Sequence, residues 1–183
     1  MSARDVLQFW FEEIPRKFHF NATPAFDAEI RHRFEDMAIE QAAIAGRGSH
    51  PWEASPDTML ALIITLDQFP RNMYRGTSAM FEWDKILLPL VKKMVDRGDD
   101  LKIPLERRSF VYMPFMHSET LADQNQCVKL VDQRLSDENT LFHAKAHRKL
   151  IKNFGRFPHR NELLGRDSRQ EEIQYLKDGG YKP

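Results

Sequence analysis

The sequence predicts an all-α fold of seven or eight antiparallel helices. Helix-capping residues recur along it, apolar residues recur at intervals of three and four, and β-hairpin signals are nearly absent. About 42% of the 183 residues are apolar, enough for a chain of this length to fold around a core without a disulfide or a metal. No linker, low-complexity tract or charge block divides the pattern. We therefore predict one domain over residues 1–183, built as a helical-hairpin array.

The first three helices have recognisable starts, where a capping residue precedes apolar residues at helical spacing. These starts are Ser2 with Asp5, Thr23 before Pro24, and Ser55 before Pro56. The second helix should end at Gly46. Residues 59–66 of the third are apolar on nearly every side, so we expect them at the centre of the core.

Prolines and glycines mark the remaining helices. A helical stretch from Thr77 to near Gly98 contains Pro89, which should kink or divide it. Pro104 should open the next helix and Pro114 should close it. Further helices are expected over about residues 120–135, over residues 141–154, and from Ser168, which forms a capping box with Glu171, to Gly179.

Composition excludes two classes of partner. Lysine plus arginine (27) equals aspartate plus glutamate (27), so no net positive field attracts nucleic acid or an anionic membrane. The longest apolar run, residues 59–66, is far too short to span a bilayer, and the first residues lack the pattern of a signal peptide. The single cysteine, Cys127, is expected in a helix interior and fits a reducing compartment. We therefore expect a soluble, cytoplasmic protein that binds neither nucleic acid nor membrane.

The first polar motif runs from Asp67 to Asn72 and continues to Arg75. The proline at position 70 should push Phe69 out of the α region and into the core. Arg71 and Arg75 lie four residues apart, on one side of a helical turn, so they need an anion between them. That anion is either a carboxylate of the protein, with Asp67 pairing Arg71 in a structural corner, or a ligand.

The second polar motif, residues 154–161, repeats the Phe-Pro pair and the amide of the first. Gly155 should supply the left-handed position that ends a helix. Three potential cations follow within five residues: Arg156, His159 and Arg160. Anion binding and a buried salt-bridge network with Glu119 or Glu162 are the two alternatives. Both motifs predict one arrangement, a helix stop followed by a proline-fixed turn and a basic cluster.

The third motif centres on His117 and Glu119, which could converge in an extended turn after Pro114. His143 and His147 lie four residues apart, a spacing that suits a metal. That pair stands without a metalloprotease-type motif, and His147 shares a helix face with apolar residues, so we predict a half-buried, hydrogen-bonded ring. No phosphate loop, nucleophile elbow, Cys-x-x-Cys pair or calcium loop is present. We predict neither a metal nor another cofactor.

These three motifs, together with residues 6–11, closely resemble the pattern of a bacterial family, domain of unknown function 924. The resemblance covers nearly the whole chain in the family's order. It implies an all-α fold of the tetratricopeptide-repeat-like superfamily, and it implies no activity. The family's residues that it carries over are Asp67, Gln68, Arg71, Asn72, Arg75, His117, Glu119, His147, Arg156, His159, Arg160 and Asn161.

We predict that the three motifs meet and form a pocket for a small anionic ligand, a carboxylate or a phosphate. An enzyme could clamp the anion with Arg71, Arg156 and Arg160, use His117 or His159 as acid and base, and orient the imidazole with Glu119 or Asp67. The remaining ligand-binding candidates are Gln68, Asn72, Arg75, His147 and Asn161. The alternative is a helical module that binds another protein and uses the motifs as internal salt bridges. The sequence favours the pocket, because apolar residues would usually stabilise a core as well as buried cations do.

Overall fold

A computed structural model describes residues 1–19 and 21–182. Over these residues it contains eight continuous helices and no strand, which confirms the all-α prediction. None of the described helices combines the length and the apolar character needed to cross a membrane. The chain divides into two compact units, Met1–Pro114 and Phe115–Pro183, which are described separately below. The prediction of one domain stays a prediction.

The first unit contains four helices and most of a fifth. They are α1 (Ala3–Gln8, continued by the π-helical Phe9–Glu13), α2 (Pro24–Ala45), α3 (Pro56–Ile63, continued by the π-helical Ile64–Gln68 and the α-helical Phe69–Met73), α4 (Asp84–Asp96) and α5 (Leu105–His117). Short 3-10 turns at Arg16–His19, Pro51–Ala54, Ser78–Phe81 and Asp99–Lys102 connect them. The three predicted starts at Ser2, Thr23 and Ser55 are confirmed, since each side chain accepts a backbone N–H of the first turn.

The core of the first unit forms where it was expected. Residues 59–66 are all buried, with at most 1% of any of them exposed. The rings of Phe9 and Phe69 pack against Phe34, with centroid separations of 4.9 and 4.7 Å. These tilted ring contacts hold α1, α2 and α3 together.

The predicted helix stop at Phe69 is wrong. Phe69 is buried as expected, but its backbone is α-helical (φ −58°, ψ −42°) and α3 continues to Met73. The cause is the π-helical turn before it, in which the Phe69 N–H donates to the carbonyl of Ile64. This wider turn accommodates Pro70, which has no N–H and would clash with a regular preceding turn.

The bounds of two other helices also differ from the predictions. Helix α4 begins at Asp84 rather than near Thr77, and it is not divided by Pro89. Helix α5 passes through Pro114 to His117 instead of closing there. Residues 110–116 are all buried, and their burial outweighs the hydrogen bond that a proline removes.

The second unit contains α6 (Leu121–Arg134), α7 (Glu138–Phe154) and α8 (Gln170–Lys177), with a 3-10 turn at Pro158–Arg160. Helices α6 and α7 pack together and are joined by only three residues, so they form a hairpin. Gly155 ends α7 with φ +71°, as predicted. Leu150, Ile151 and Phe157 form a buried cluster that the rings of Phe154, Tyr175 and Tyr181 cover.

The capping box of the last helix lies one residue later than predicted. Arg169, not Ser168, occupies the cap position, and the carboxylate of Glu172, not Glu171, accepts its backbone N–H at 2.7 Å. Glu172 is fully buried whereas Glu171 is exposed. The packing of Glu172 therefore sets where α8 begins.

Candidate functional site

In the first unit, the guanidinium of Arg71 lies between two carboxylates. It donates to both oxygens of Asp84 at 3.0 and 2.9 Å, to the Asp67 carbonyl at 2.6 Å, and lies 3.3 Å from Oδ1 of Asp67. Gln68 donates to Oδ2 of Asp67 at 2.5 Å and contacts the sulfur of Met113 at 3.3 Å. Burial lowers the pKa of Arg71, but the charges of Asp67 and Asp84 outweigh it and raise that pKa. The predicted pairing of Asp67 with Arg71 is confirmed.

Arg75 has a different carboxylate partner. It donates to both oxygens of Asp27 at 2.7 and 3.1 Å, and to Oδ1 of Asn72 at 3.1 Å. The Asn72 amide in turn donates to the carbonyl of Gln68 at 3.0 Å. The expectation that Arg71 and Arg75 enclose one shared anion is therefore wrong, because each arginine is paired with its own protein carboxylate.

In the second unit, Glu172 is the centre of an ion-pair network. Arg156 binds both of its oxygens at 2.7 and 2.8 Å, Arg169 donates at 3.0 Å, and the amide of Asn161 donates at 3.1 Å. Arg156 also donates to the carbonyl of Asp167 at 2.7 Å. The hydrogen bonds from Arg156 and Arg169 keep the pKa of Glu172 far below its usual range.

Glu119 is paired with Arg166. The arginine donates to both carboxylate oxygens at 2.7 and 3.0 Å and to Oδ1 of Asn161 at 3.1 Å. The backbone N–H of Phe157 donates to Glu119 at 2.7 Å. Burial raises the pKa of Glu119, but Arg166 and this N–H lower it by more. The network predicted between Arg156, His159 and Arg160 and either Glu119 or Glu162 has other members: Glu119 pairs with Arg166 and Arg156 with Glu172, while Glu162 is exposed.

Three motif side chains lie around the buried ring of Phe157, and His117 lies beside one of them. We call the four residues the imidazole cluster: His117, His147, His159 and Arg160. The Arg160 guanidinium carbon lies 4.3 Å from the Phe157 centroid, and its Nη1 donates to the His117 carbonyl at 3.1 Å. The rings of His147 and His159 lie 5.6 and 5.7 Å from Phe157. The rings of His117 and His147 are 6.5 Å apart. The second and third motifs therefore meet in this unit.

His147 is held in one tautomer. Its Nδ1 lies 2.8 Å from the carbonyl oxygen of His143, which can only accept, so Nδ1 carries the proton. Nε2 is then the unprotonated ring nitrogen. Burial, with the nearby charges of His117 and Arg160, lowers the pKa of His147 to about 3. The ring is neutral at physiological pH.

One ring nitrogen of His159 has no hydrogen-bond partner in the part of the chain that the structure describes. This nitrogen is Nδ1, and it is buried. Burial, followed by the charge of Arg160, lowers the pKa of His159 to about 4. Buried polar atoms in folded proteins are normally hydrogen-bonded, so this ring nitrogen is a candidate to bind a ligand or a water molecule.

The His143 and His147 pair, whose spacing suits a metal, makes two separate hydrogen bonds. His143 shares a hydrogen bond of 2.7 Å with the hydroxyl of Tyr181 through Nδ1, while His147 uses its own Nδ1 on a carbonyl. Within the described ranges, no three His, Cys, Asp or Glu side chains are grouped so that they could hold a metal ion. The histidine spacing in α7 instead positions one ring against the C-terminal segment and one in the imidazole cluster.

Two cavities lie elsewhere, both in the first unit. One of about 310 Å³ is lined by residues that include Arg4, Gln8 and Arg107. The other, of about 460 Å³, is lined by residues that include Phe9 and Phe18. Neither lining contains a residue of the three motifs. The predicted pocket formed by all three motifs together stays a prediction.

The sequence missed several residues that complete these sites. They are Asp27, Asp84, Arg166, Arg169, Glu172 and Tyr181. Only the capping-box pattern around Arg169 pointed to one of them, and it was assigned one residue too early. The others are charged or aromatic residues without a local pattern that marks them as partners.

Fold and contacts define an all-α protein with carboxylate-paired arginines in both units and an imidazole cluster in the second. The chain belongs to the family described as bacterial protein of unknown function, DUF924, which it matches over residues 6–180. It is similar to the solved structure of a protein of unknown function from Agrobacterium tumefaciens, with 38% identity, a TM-score of 0.87 and coverage of 97% of each chain. No curated protein matches the chain in sequence. The resemblance of the motifs to this family is thereby confirmed.

Proposed function

We propose that the protein binds a small anion, a carboxylate or a phosphate, at the imidazole cluster of the second unit. One observation carries this proposal. His159 keeps a buried ring nitrogen, Nδ1, without a hydrogen-bond partner in the described chain, and its ring lies around Phe157 with the ring of His147 and the guanidinium of Arg160. An arginine between imidazoles supplies positive charge and N–H donors, which is the chemistry that carboxylates and phosphates require.

The electrostatics of the cluster support the same proposal. The charge of Arg160 contributes to the lowered pKa of both His147 and His159. A bound anion would counter the effects of burial and of the Arg160 charge, both of which lower the pKa of these two rings. The predicted ligand-binding roles of His147 and Arg160 are therefore retained in this proposal, and His159, predicted as an acid or base, is added to them as a ligand-binding residue.

The other motif arginines fit a structural role better. Arg71, Arg75 and Arg156 each bind both oxygens of a protein carboxylate. Glu119 is likewise occupied by Arg166 and by the N–H of Phe157. We therefore propose a binding protein in which these pairs stabilise the unit that contains them, and the acid–base roles of His117, Glu119 and His159 stay a prediction.

The test is a thermal-shift titration of the full chain with inorganic phosphate and with succinate at pH 7. At one hundred times its Kd, a ligand adds about 2.7 kcal/mol to the unfolding free energy and raises Tm by several degrees. We expect the shift to disappear in Arg160→Gln and to persist in Arg75→Gln, whose ion pair is half exposed. Arg160→Lys separates loss of charge from loss of packing.

A protein-interaction role is the second candidate. The paired arginines are what an interaction module with internal salt bridges would contain, and Phe142 of α7 is 63% exposed. This candidate is favoured if neither anion shifts Tm and Arg160→Gln melts well below the parent protein. In that case the imidazole cluster would be structural.

We further propose a cytoplasmic location without a nucleic-acid partner. The only cysteine, Cys127, is buried, and burial raises the pKa of its thiol to about 12, as suits a residue kept reduced inside the core. The balanced charge gives no general attraction for nucleic acid. Cell fractionation with an antibody against the native chain tests the location, and recovery in an extracytoplasmic fraction would contradict it.

A further inference from the structure

The cavity of about 310 Å³ in the first unit is lined by three helices. Its lining combines residues of α1 and of its π-helical continuation with residues from the first turns of α3 and α5. Among them are Arg4, Leu7, Glu12, Asp57 and Arg107. Sites for small molecules have volumes of about 300–1,000 Å³, so this cavity is large enough for a small ligand.

The lining carries four charged side chains that the protein itself does not pair. Arg4, Glu12, Asp57 and Arg107 make no side-chain hydrogen bond or ion pair with any residue within 1–19 and 21–182. By contrast, the exposed Arg97 of the same unit binds a carboxylate two residues along the chain at 2.8 Å. Two positive and two negative groups therefore line one cavity without matching each other's charge.

An aromatic ring holds the guanidinium of Arg107 in place. Its central carbon lies 4.6 Å from the centroid of the Phe11 ring, and the side chain is half-buried. The N–H donors of a guanidinium lie in its plane, so a ring against its face leaves the donors at its edge available. Arg107 can therefore donate to a carboxylate in the cavity.

A ligand with only one sign of charge would match half of this lining. A simple anion would face the carboxylates of Glu12 and Asp57, and a simple cation would face the guanidinium groups of Arg4 and Arg107. A ligand that carries both a carboxylate and an ammonium group matches both pairs through charge-assisted hydrogen bonds. The half-buried Leu7 adds an apolar surface that an aliphatic side chain can cover.

We infer that this cavity binds a small zwitterion with an aliphatic side chain. Its carboxylate contacts Arg4 and Arg107, and its ammonium group contacts Glu12 and Asp57. A free α-amino acid and a short peptide share this chemistry and differ in the separation of their charges. The inference goes beyond the proposed function and does not depend on it, because the cavity belongs to the first unit and the imidazole cluster to the second.

Four small molecules with a matched apolar group test the inference on the full chain at pH 7. They are leucine, 4-methylpentanoate, which lacks the ammonium group, 3-methylbutylamine, which lacks the carboxylate, and the dipeptide glycyl-leucine. By isothermal titration calorimetry we expect leucine or glycyl-leucine to bind about tenfold more tightly than either single-charge analogue, since each analogue loses a charge-assisted hydrogen bond. The tighter of the two zwitterions identifies the source of the ligand.

Variants of the lining then assign each charge of the ligand to its partner. Arg4→Gln should reduce the preference for the zwitterion over 3-methylbutylamine and leave its preference over 4-methylpentanoate unchanged, and Asp57→Asn should do the reverse. Both side chains are exposed, so these changes should disturb the fold little. Arg47→Gln and Glu40→Gln, at exposed positions outside the lining, are the matched controls and should bind as the parent protein does.

A second signal comes from the parent protein and does not depend on the folding of any variant. In two-dimensional NMR spectra of the ¹⁵N-labelled chain, the preferred zwitterion should move the backbone amide signals of residues 4, 57 and 107. The signals of residues 40 and 47 should stay unchanged.

Each outcome decides for or against the inference. No binding of leucine or of glycyl-leucine overturns it, and so does binding of either single-charge analogue that is as tight as that of the zwitterion. Unchanged preferences in both Arg4→Gln and Asp57→Asn, or NMR changes confined to other residues, place the zwitterion elsewhere and also overturn it. Opposite losses of preference in these two variants, with binding retained in both controls, support it.

Discussion

The two Phe-Pro pairs of the chain have the same residues and different structures. Phe69-Pro70 lies inside the continuous helix α3, directly after a π-helical turn. Phe157 directly precedes the 3-10 turn that begins at Pro158. It follows two residues after Gly155, which ends α7 in the left-handed region. A proline therefore does not by itself end a helix, because the geometry of the preceding turn determines whether its missing N–H can be accommodated.

The basic residues that follow the two pairs differ as well. Arg71 is enclosed by the carboxylates of Asp67 and Asp84, so its charge is matched within the protein. Arg160 lies over Phe157 among imidazoles, and Nδ1 of His159 has no hydrogen-bond partner among the described residues. Similar motifs thus serve as an ion-paired support in one unit and as a candidate ligand site in the other.

We expect the greatest loss of stability when the buried ion pairs of Arg71 in the first unit are removed. Arg71→Ala leaves two carboxylates without their cation, and we expect the unfolding free energy to fall by about 3–5 kcal/mol. Urea denaturation followed by tryptophan fluorescence measures it, since Trp83 is buried beside Asp84. Arg75→Ala removes a half-exposed pair and should cost about 1 kcal/mol or less. Equal losses in the two variants would show that Arg71 is not a buried support.

The next effect tests the ion-pair network of the second unit. Glu172→Gln removes a buried carboxylate that accepts from Arg156 and Arg169, and we expect a loss of about 2 kcal/mol at pH 7. The folded pKa of Glu172 is lowered from 4.5, so its contribution is present above pH 4.5 and is lost as the pH falls through the folded value. The difference in urea midpoint between parent and variant should therefore shrink below pH 4.5. Glu171→Gln, at an exposed position, should show no such difference.

A smaller effect concerns the imidazole cluster. The folded pKa values of His159 and His147 are lowered from 6.5 to about 4 and about 3. Because the unfolded chain binds protons that the folded chain does not, stability is full above pH 6.5 and declines as the pH falls towards those values. Phosphate bound beside the rings should raise both pKa values. Proton NMR titration with and without phosphate measures this, and pKa values unchanged by phosphate would contradict a site at these rings.

The smallest effect concerns the end of α7. Gly155→Ala places a side chain at φ +71° and should destabilise the protein by about 1–2 kcal/mol. Gly46→Ala is the control, since Gly46 ends α2 with φ −60° and should change stability by about 0.5 kcal/mol or less. Urea midpoints of the two variants compare the two helix ends directly, and equal midpoints would show that the left-handed conformation is not needed.

The all-α class and several of the helix ends follow from local sequence patterns. Caps at Ser2, Thr23 and Ser55, the glycine stop at Gly155 and the apolar run of α3 were all predicted, because each depends on neighbours within one or two turns. The motifs also identified the family. Within the candidate site, local reasoning found the pairing of Asp67 with Arg71, which lie four residues apart on one helix.

Which carboxylate pairs with each arginine, and which side chains lie around the ring of Phe157, depends on the tertiary structure. The paired residues are far apart in the sequence. The separation is 13 residues for Arg71 and Asp84, 16 for Arg156 and Glu172, and 47 for Glu119 and Arg166. Local patterns extend over four or five residues, so they carry no information about such partners. The same holds for the π-helical turn of α3, the passage of α5 through Pro114 and the capping box at Glu172. In each case burial against distant residues outweighs a local preference of a few kcal/mol, because most of the stabilisation of a helix comes from the face that it packs.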